Sequence, residues 1–188
     1  MDILSGWLSL QKNMVRIFLI GYMGAGKTTL GKAFAKRMGV TFIDLDWYIE
    51  ERFHTTINML FASRGESGFR QLERDMLREV AEFEDVVIAT GGGTPCFFDN
   101  IDYMNTKGCT VYLDTSPSVL YNRLIQSRKQ RPILKDKQPH ELEDFIAQAL
   151  ESRLPFYKKA GYVLDTDKLE SKSQITSAVE SLRLLLGL

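Results

Sequence analysis

The 188-residue chain is poor in the residues that build staples and metal cages: it has two cysteines, Cys96 and Cys109, and two histidines, His54 and His140. None of the four shows metal-ligand spacing, and a chain of this length buries a core without a disulfide framework. Both cysteines therefore read as reduced thiols of a cytoplasmic protein. The chain also lacks a surplus of either charge, because 24 Lys and Arg balance 24 Asp and Glu. That removes the basic footprint expected of a nucleic-acid binder. Long apolar runs are missing too. Stretches such as Ile17–Ile20 and Val86–Ala89 fall far below the ~20 residues of a membrane span. There are no internal repeats and no low-complexity tract. What remains is one ordinary domain, 44% hydrophobic and 26% charged, and with no coiled-coil pattern it reads as a monomer.

Residues 1–13 read as an N-terminal extension of unknown role. They carry apolar Ile3, Leu4, Trp7, Leu8 and Leu10 but lack the basic start and cleavage site of a signal peptide. Met14 stands as a usable start, so residues 14–188 form the expected domain. Within it, short β-branched runs alternate with helical spacing. Strands are expected at Val15–Ile20, Val40–Leu45, Val86–Thr90, Thr110–Leu113 and Tyr162–Asp165. Helices are expected at Thr28–Met38, Trp47–Phe53, Ile57–Ala62, Gly68–Phe83, Ser118–Ser127, Glu141–Tyr157 (disturbed at Pro155) and Ser173–Leu186. Strands alternating with helices imply βαβ units and a parallel sheet covered on both faces, an α/β fold.

The segment Gly21-Tyr22-Met23-Gly24-Ala25-Gly26-Lys27-Thr28 fits G-x-x-x-x-G-K-[ST], with an apolar strand before it and a helix after it. Glycines let backbone N–H groups turn inward as an anion nest, and the opening helix adds its positive end. Gly24, Ala25, Gly26, Lys27, Thr28 and Thr29 are thus candidates for holding ATP. Lys27 is placed for the β- and γ-phosphates, and the Thr28 hydroxyl suits Mg²⁺. A guanine-reading N-K-x-D motif is missing: Asn105-Thr106-Lys107-Gly108 lacks the aspartate. Val86–Thr90 runs into Gly91-Gly92-Gly93, so that strand ends in backbone where a motor ATPase would carry an acid.

The remaining polar residues concern the acceptor. Asp44-Leu45-Asp46 closes the second strand, at the edge where ligands bind in open α/β sheets. One acid suits Mg²⁺ and the other a substrate hydroxyl; a helix N-cap is the bland alternative for Asp46. Arg70 and Glu73 lie one helical turn apart, a fork suited to a carboxylate and an acid to hold it. Gly92 and Gly93 permit close backbone approach. Arg131-Pro132-Ile133-Leu134 sits in a basic loop that reads as a mobile lid, and Arg153 ends the following helix.

The ordered set GYMGAGKTT, DLD, GFRQLE, ATGGGTP, RPIL and ESRLPFYKKA resembles the shikimate kinase family from Met14 onward. The resemblance implies a three-layer αβα P-loop NTPase fold with a five-stranded parallel sheet of order 2-3-1-4-5. It places substrate binding at about 46–75 and the lid at about 128–140. It implies transfer of the ATP γ-phosphoryl to the 3-hydroxyl of shikimate, in chorismate and aromatic amino acid biosynthesis, with Mg²⁺. By position, Thr28 and Asp44 match the metal residues and Asp46 the proposed base. Arg70 and Arg153 match the carboxylate arginines, and Gly92 and Gly93 their backbone neighbours. Arg131 matches the lid arginine, Phe61 and Phe69 aromatic pocket residues (or simple core), and Arg128 an adenine neighbour. Lys27, Asp46 and Arg131 form the expected catalytic set, with Glu73 beside the substrate. A related small-molecule kinase, for gluconate or a nucleoside monophosphate, and a silent nucleotide-binding module are the rivals. The silent module would predict loss of Lys27, Asp44 or Asp46, and all three are present.

Overall fold

A computed structural model describes residues 15–126 and 139–188. The N-terminal extension, Met14, and the lid residues 128–138 with Arg128 and Arg131 lie outside the described residues. The core is a sheet of five parallel strands: β1 (Arg16–Ile20), β2 (Thr41–Asp44), β3 (Val86–Ala89), β4 (Cys109–Asp114) and β5 (Tyr162–Asp165). Their spatial order is β2-β3-β1-β4-β5, the order the resemblance implied. The helices are α1 (Lys27–Met38), α2 (Leu45–Phe53), α3 (Ile57–Val80), α4 (Asn100–Lys107), α5 (Pro117–Gln126), α6 (Pro139–Tyr157) and α7 (Lys172–Leu185).

Side chains alternate across each strand, so the two sheet faces collect separate apolar clusters. Ile17, Leu19, Val87, Val111 and Leu113 meet Leu30 and Phe34 of α1, Leu120 and Leu124 of α5, and Val179 and Leu182 of α7. Phe18, Ile20, Val86, Ile88 and Tyr112 meet Leu45 and Ile49 of α2, Phe69, Leu72 and Leu77 of α3, and Ile101 and Met104 of α4. Helix α6 joins both, giving Ile146 to the first cluster and Tyr157 to the second. Because β1 and β3 are buried throughout their apolar residues, they read as continuous hydrophobic runs, as central parallel strands do.

Register positions the loops. Ala89 of β3 pairs with Leu19 of β1 and with Asp44 of β2. The three C-terminal strand ends are therefore level, and the segments after them, beginning at Gly21, Leu45 and Thr90, emerge side by side. Three helical boundaries differ from expectation. The two helices anticipated across 57–83 run as α3, broken only at Gly65, whose φ of 67° and ψ of 177° are not helical. Helix α6 continues through Pro155 and ends two residues later, so the proline forfeits a hydrogen bond only in the last turn. Helix α4 was not anticipated; it is eight residues long and its N-cap, Asp99, makes no side-chain cap bond, so neither length nor cap announces it. Among the described residues no helix is long and apolar enough to cross a membrane.

Candidate active site

The phosphate loop joins β1 to α1. Gly26 occupies the N-cap of α1 with φ 95°, a left-handed conformation that L side chains resist. A Cβ there would also lie 2.4 Å from Leu169 Cδ1. No side chain caps α1, so the first-turn N–H groups keep their anion-binding capacity. They border a cavity of about 470 Å³ lined by Gly24, Gly26, Lys27, Thr28, Thr29, Asp44, Asp46, Thr90, Gly92 and Arg123, among others. Lys27 Nζ donates to the carbonyls of Gly21 (2.7 Å) and Tyr22 (2.9 Å), which draws it back along the loop. Ala25 is buried, and its N–H donates to the Tyr22 carbonyl at 3.1 Å, closing a turn within the loop.

Both strand-end acids lie on this cavity. Asp44 is the N-cap residue of α2, yet its side chain makes no cap bond. Its Oδ2 instead accepts from Thr28 Oγ1 at 2.7 Å. Asp46 sits in the first turn of α2 and is not its N-cap. Burial pushes its carboxyl up to about 6, Asp44, Glu73 and Glu50 add to the rise, and Lys27 opposes it. The paired hydroxyl and carboxylate of Thr28 and Asp44 are hard oxygen donors of the kind Mg²⁺ accepts alongside phosphate and water. Among the described residues no cluster of three or more His, Cys, Asp or Glu could cage a metal. The donor set thus fits a cation shared with a bound phosphate chain.

The Gly91-Gly92-Gly93 tripeptide is where the separate segments converge. A Cβ on Gly91 would lie 2.9 Å from Glu73 Oε1, 2.9 Å from Thr94 Oγ1 and 3.0 Å from Asp46 Oδ1. On Gly92 it would meet Met23 N at 3.3 Å and Arg153 Nη1 at 3.4 Å. On Gly93 it would meet Arg70 Nη2 at 2.8 Å. Three successive missing side chains therefore admit the acid of α2, the phosphate loop with the arginine of α6, and the arginine of α3. The glycines make room for these groups as well as for anything that binds between them.

Arg70 is held rigidly. Its Nη1 donates to Glu73 Oε2 at 2.8 Å, and Glu73 Oε1 accepts from Thr94 Oγ1 at 2.5 Å. Glu73 is only 1% exposed, and both its oxygens are engaged. The sequence placed Glu73 beside the substrate as well as beside Arg70, and its Oε2 meets Arg70 Nη1. Phe61 and Phe69 stack at 4.1 Å and lie 5.5 and 5.4 Å from the Arg70 guanidinium carbon. Phe69 is buried core, whereas Phe61 is half-buried against it. Arg153 lies over the Tyr22 ring at 5.2 Å. Tyr157, one turn further on, donates its hydroxyl to Gly92 O at 2.6 Å. Burial raises the Tyr157 phenol well above its ordinary range, so it stays a donor.

Of the described residues anticipated from the sequence, Gly24, Gly26, Lys27, Thr28, Thr29, Asp44, Asp46 and Gly92 line the cavity, Arg70, Glu73 and Arg153 lie against the glycine tripeptide, and Phe61 and Phe69 lie beside Arg70. Sequence reasoning missed Tyr22, Thr94, Tyr157 and Arg123. Arg123 of α5 donates from Nη1 to Gly24 O (3.3 Å), from Nη2 to Thr166 O (2.8 Å), and to Glu170 Oε1 (2.7 Å from Nη2). Nothing in its spacing marks it out. Tyr157 had a faint signal, since it stands four residues after Arg153 and so on the same helical face.

A family model described as shikimate kinase matches residues 23–183. A curated shikimate kinase from Bacteroides fragilis is 63% identical over 175 residues, covering 93% of this chain and 98% of its own. The crystal structure of shikimate kinase from Bacteroides thetaiotaomicron superposes with a TM-score of 0.91 at 63% identity, covering 93% of this chain and 99% of that one. Shikimate kinase from Acinetobacter baumannii in complex with shikimate gives 0.80 at 33% identity, covering 94% and 95%.

Proposed function

The chain belongs to the shikimate kinase family, and from that premise we propose how its cleft transfers the ATP γ-phosphoryl group to the 3-hydroxyl of shikimate, giving shikimate 3-phosphate and ADP. The observation that carries the reading is the convergence at Gly91–Gly93, where Asp46, Arg153 and Arg70 each approach within 3.4 Å of a glycine Cβ position, beside the phosphate loop. A carboxylate-bearing alcohol fits between the two guanidinium groups and the acid.

In this reading the α1 N-terminus and Lys27 hold the phosphates, and Lys27 leaves the Gly21 and Tyr22 carbonyls to do so. Thr28 and Asp44 would hold Mg²⁺, which when bound would supply positive charge to the phosphate chain. Arg70 and Arg153 grip the shikimate carboxylate. Asp46 orients the attacking hydroxyl and accepts its proton; its raised affinity for a proton favours that step. Arg131 is assigned from its motif to the lid, where it adds charge to the transferring group and helps exclude water. Arg123, which lines the cavity with Leu169 and Glu170, is assigned to the nucleoside side, together with Arg128 from its position in the motif order. Both walls come from one chain, so a monomer suffices. The proposed setting is the cytoplasm, where ATP is supplied and the free thiols of Cys96 and Cys109 stay reduced.

A coupled ADP-release assay across shikimate, gluconate and nucleoside monophosphates tests the assignment. Turnover is expected with shikimate alone. Turnover on a nucleotide or gluconate without shikimate turnover would overturn it.

A further inference from the structure

Three arginines on one face of α3, Arg70, Arg74 and Arg78, are spaced four residues apart. Each lies over an aromatic ring supplied by the chain that follows the glycine tripeptide. The Arg70 guanidinium carbon is 4.1 Å from the Phe97 ring centre, Arg74 is 5.0 Å from Phe98, and Arg78 is 4.7 Å from Tyr103. The Nε atoms of all three arginines are buried without a hydrogen-bond partner, so nitrogens that usually face water lie shielded in this packed ladder. Its lower rungs are pinned, because Asp99 accepts from Arg74 Nη2 at 2.9 Å and from Arg78 Nη2 at 3.0 Å. The turn above them is pinned as well: buried Asn100 donates from Nδ2 to Thr94 O at 2.9 Å.

Phe97 is the rung beside Arg70. It belongs to neither apolar cluster of the core, so ordinary core packing does not account for a half-buried phenylalanine there. The next residue, Phe98, holds φ 51°, an unusual conformation for a bulky side chain. This turn sends Phe98 out to Arg74 while Phe97 lies against Arg70. Of the three rings around Arg70, Phe97 is nearer than Phe69 or Phe61. A ring face at this distance attracts a guanidinium and fixes its plane.

We propose that Phe97 is a positioning residue for acceptor binding: its ring holds the plane of the Arg70 guanidinium so that the fork meets the acceptor carboxylate edge-on. This rests on the assignment of Arg70 to that carboxylate. Phe97 acts through Arg70 and needs no contact with the reacting atoms. Glu73 fixes one end of the fork by charge, and Phe97 fixes its tilt.

The test compares Phe97→Leu, Phe97→Met, Phe97→Tyr, Tyr103→Leu and Arg70→Ala by steady-state kinetics with shikimate and ATP varied separately. Phe97→Leu and Phe97→Met are expected to raise the shikimate KM about five- to tenfold, the size of a lost cation–π contact in a shielded site, with kcat and the ATP KM within about twofold. Phe97→Tyr keeps the ring face and should restore the shikimate KM. Tyr103→Leu removes the rung remote from the cleft and should lower the melting temperature without moving the shikimate KM. An unchanged shikimate KM in both Phe97→Leu and Phe97→Met, with a raised one in Arg70→Ala, overturns the proposal and leaves the function standing. Parallel losses in both KM values and kcat overturn it in favour of a structural role. An unchanged shikimate KM in Arg70→Ala overturns the carboxylate assignment and the proposal with it.

Discussion

The two walls of the cleft are assembled in different ways. The phosphate wall comes mainly from one uninterrupted stretch, Gly21 to Thr29, in which loop and helix N-terminus follow directly on β1. The proposed acceptor wall takes Asp46 from α2, Arg70 and Glu73 from α3, the glycines after β3, and Arg153 from α6. A local motif can build an anion site because backbone N–H groups and a helix end are enough. Reading a particular alcohol with a carboxylate needs side chains from several directions, and only tertiary structure brings them together. The level ends of β1, β2 and β3 bring the phosphate loop, Asp46 and the glycines side by side.

Substitutions sharpen this contrast, because each wall should fail in its own kinetic constant. The largest effect is expected from Asp46→Asn, which keeps the shape and removes the base; kcat should fall by about 10²–10⁴ with little change in either KM, as steady-state assays would report. Arg131→Ala should also strike turnover, by about 10²–10³ if the lid arginine stabilises the transferring charge. Arg70→Ala, on the acceptor wall, should instead raise the shikimate KM by about 10²-fold, as expected when one partner of a shielded charge pair is truncated. Comparable losses of ATP affinity in Arg70→Ala and Arg131→Ala, with shikimate affinity untouched, would break the division between the walls.

Smaller effects probe the glycine junction. Gly93→Ala places a methyl 2.8 Å from Arg70 Nη2, and displacing a fork held by Glu73 should raise the shikimate KM about tenfold while the ATP KM stays put. Tyr157→Phe removes the donor to Gly92 O. Its cost is about 1 kcal/mol, or a melting temperature lower by about 2–4 °C, measurable by thermal denaturation.

The same contrast governs how much could be read before the structure. The five strands alternate with helices in the sequence, and the phosphate loop carries its chemistry in consecutive residues; both were legible. Asp44, Asp46, Arg70 and Arg153 were legible only as members of an ordered set of short motifs, since each alone passes for a cap or a surface charge. Arg123 was not legible and Tyr157 only faintly so, because their partners Gly24 and Gly92 lie 99 and 65 positions away and no periodicity encodes such a distance. Phe97 escaped for another reason. A phenylalanine among apolar neighbours reads as core, and only the Arg70 ring contact and its absence from both clusters separate it from core. Helix α4 was missed because eight residues with no capping bond leave little pattern to see.

Arg70 and Arg153 are proposed to hold the acceptor's carboxylate, and not merely its hydroxyls. The direct measurement is ADP release with shikimate and with its methyl ester, in the native chain and in Arg70→Ala. A much lower kcat/KM for the ester in the native chain, with the gap largely closed in Arg70→Ala, is the predicted result. Equal use of acid and ester by the native chain would contradict it.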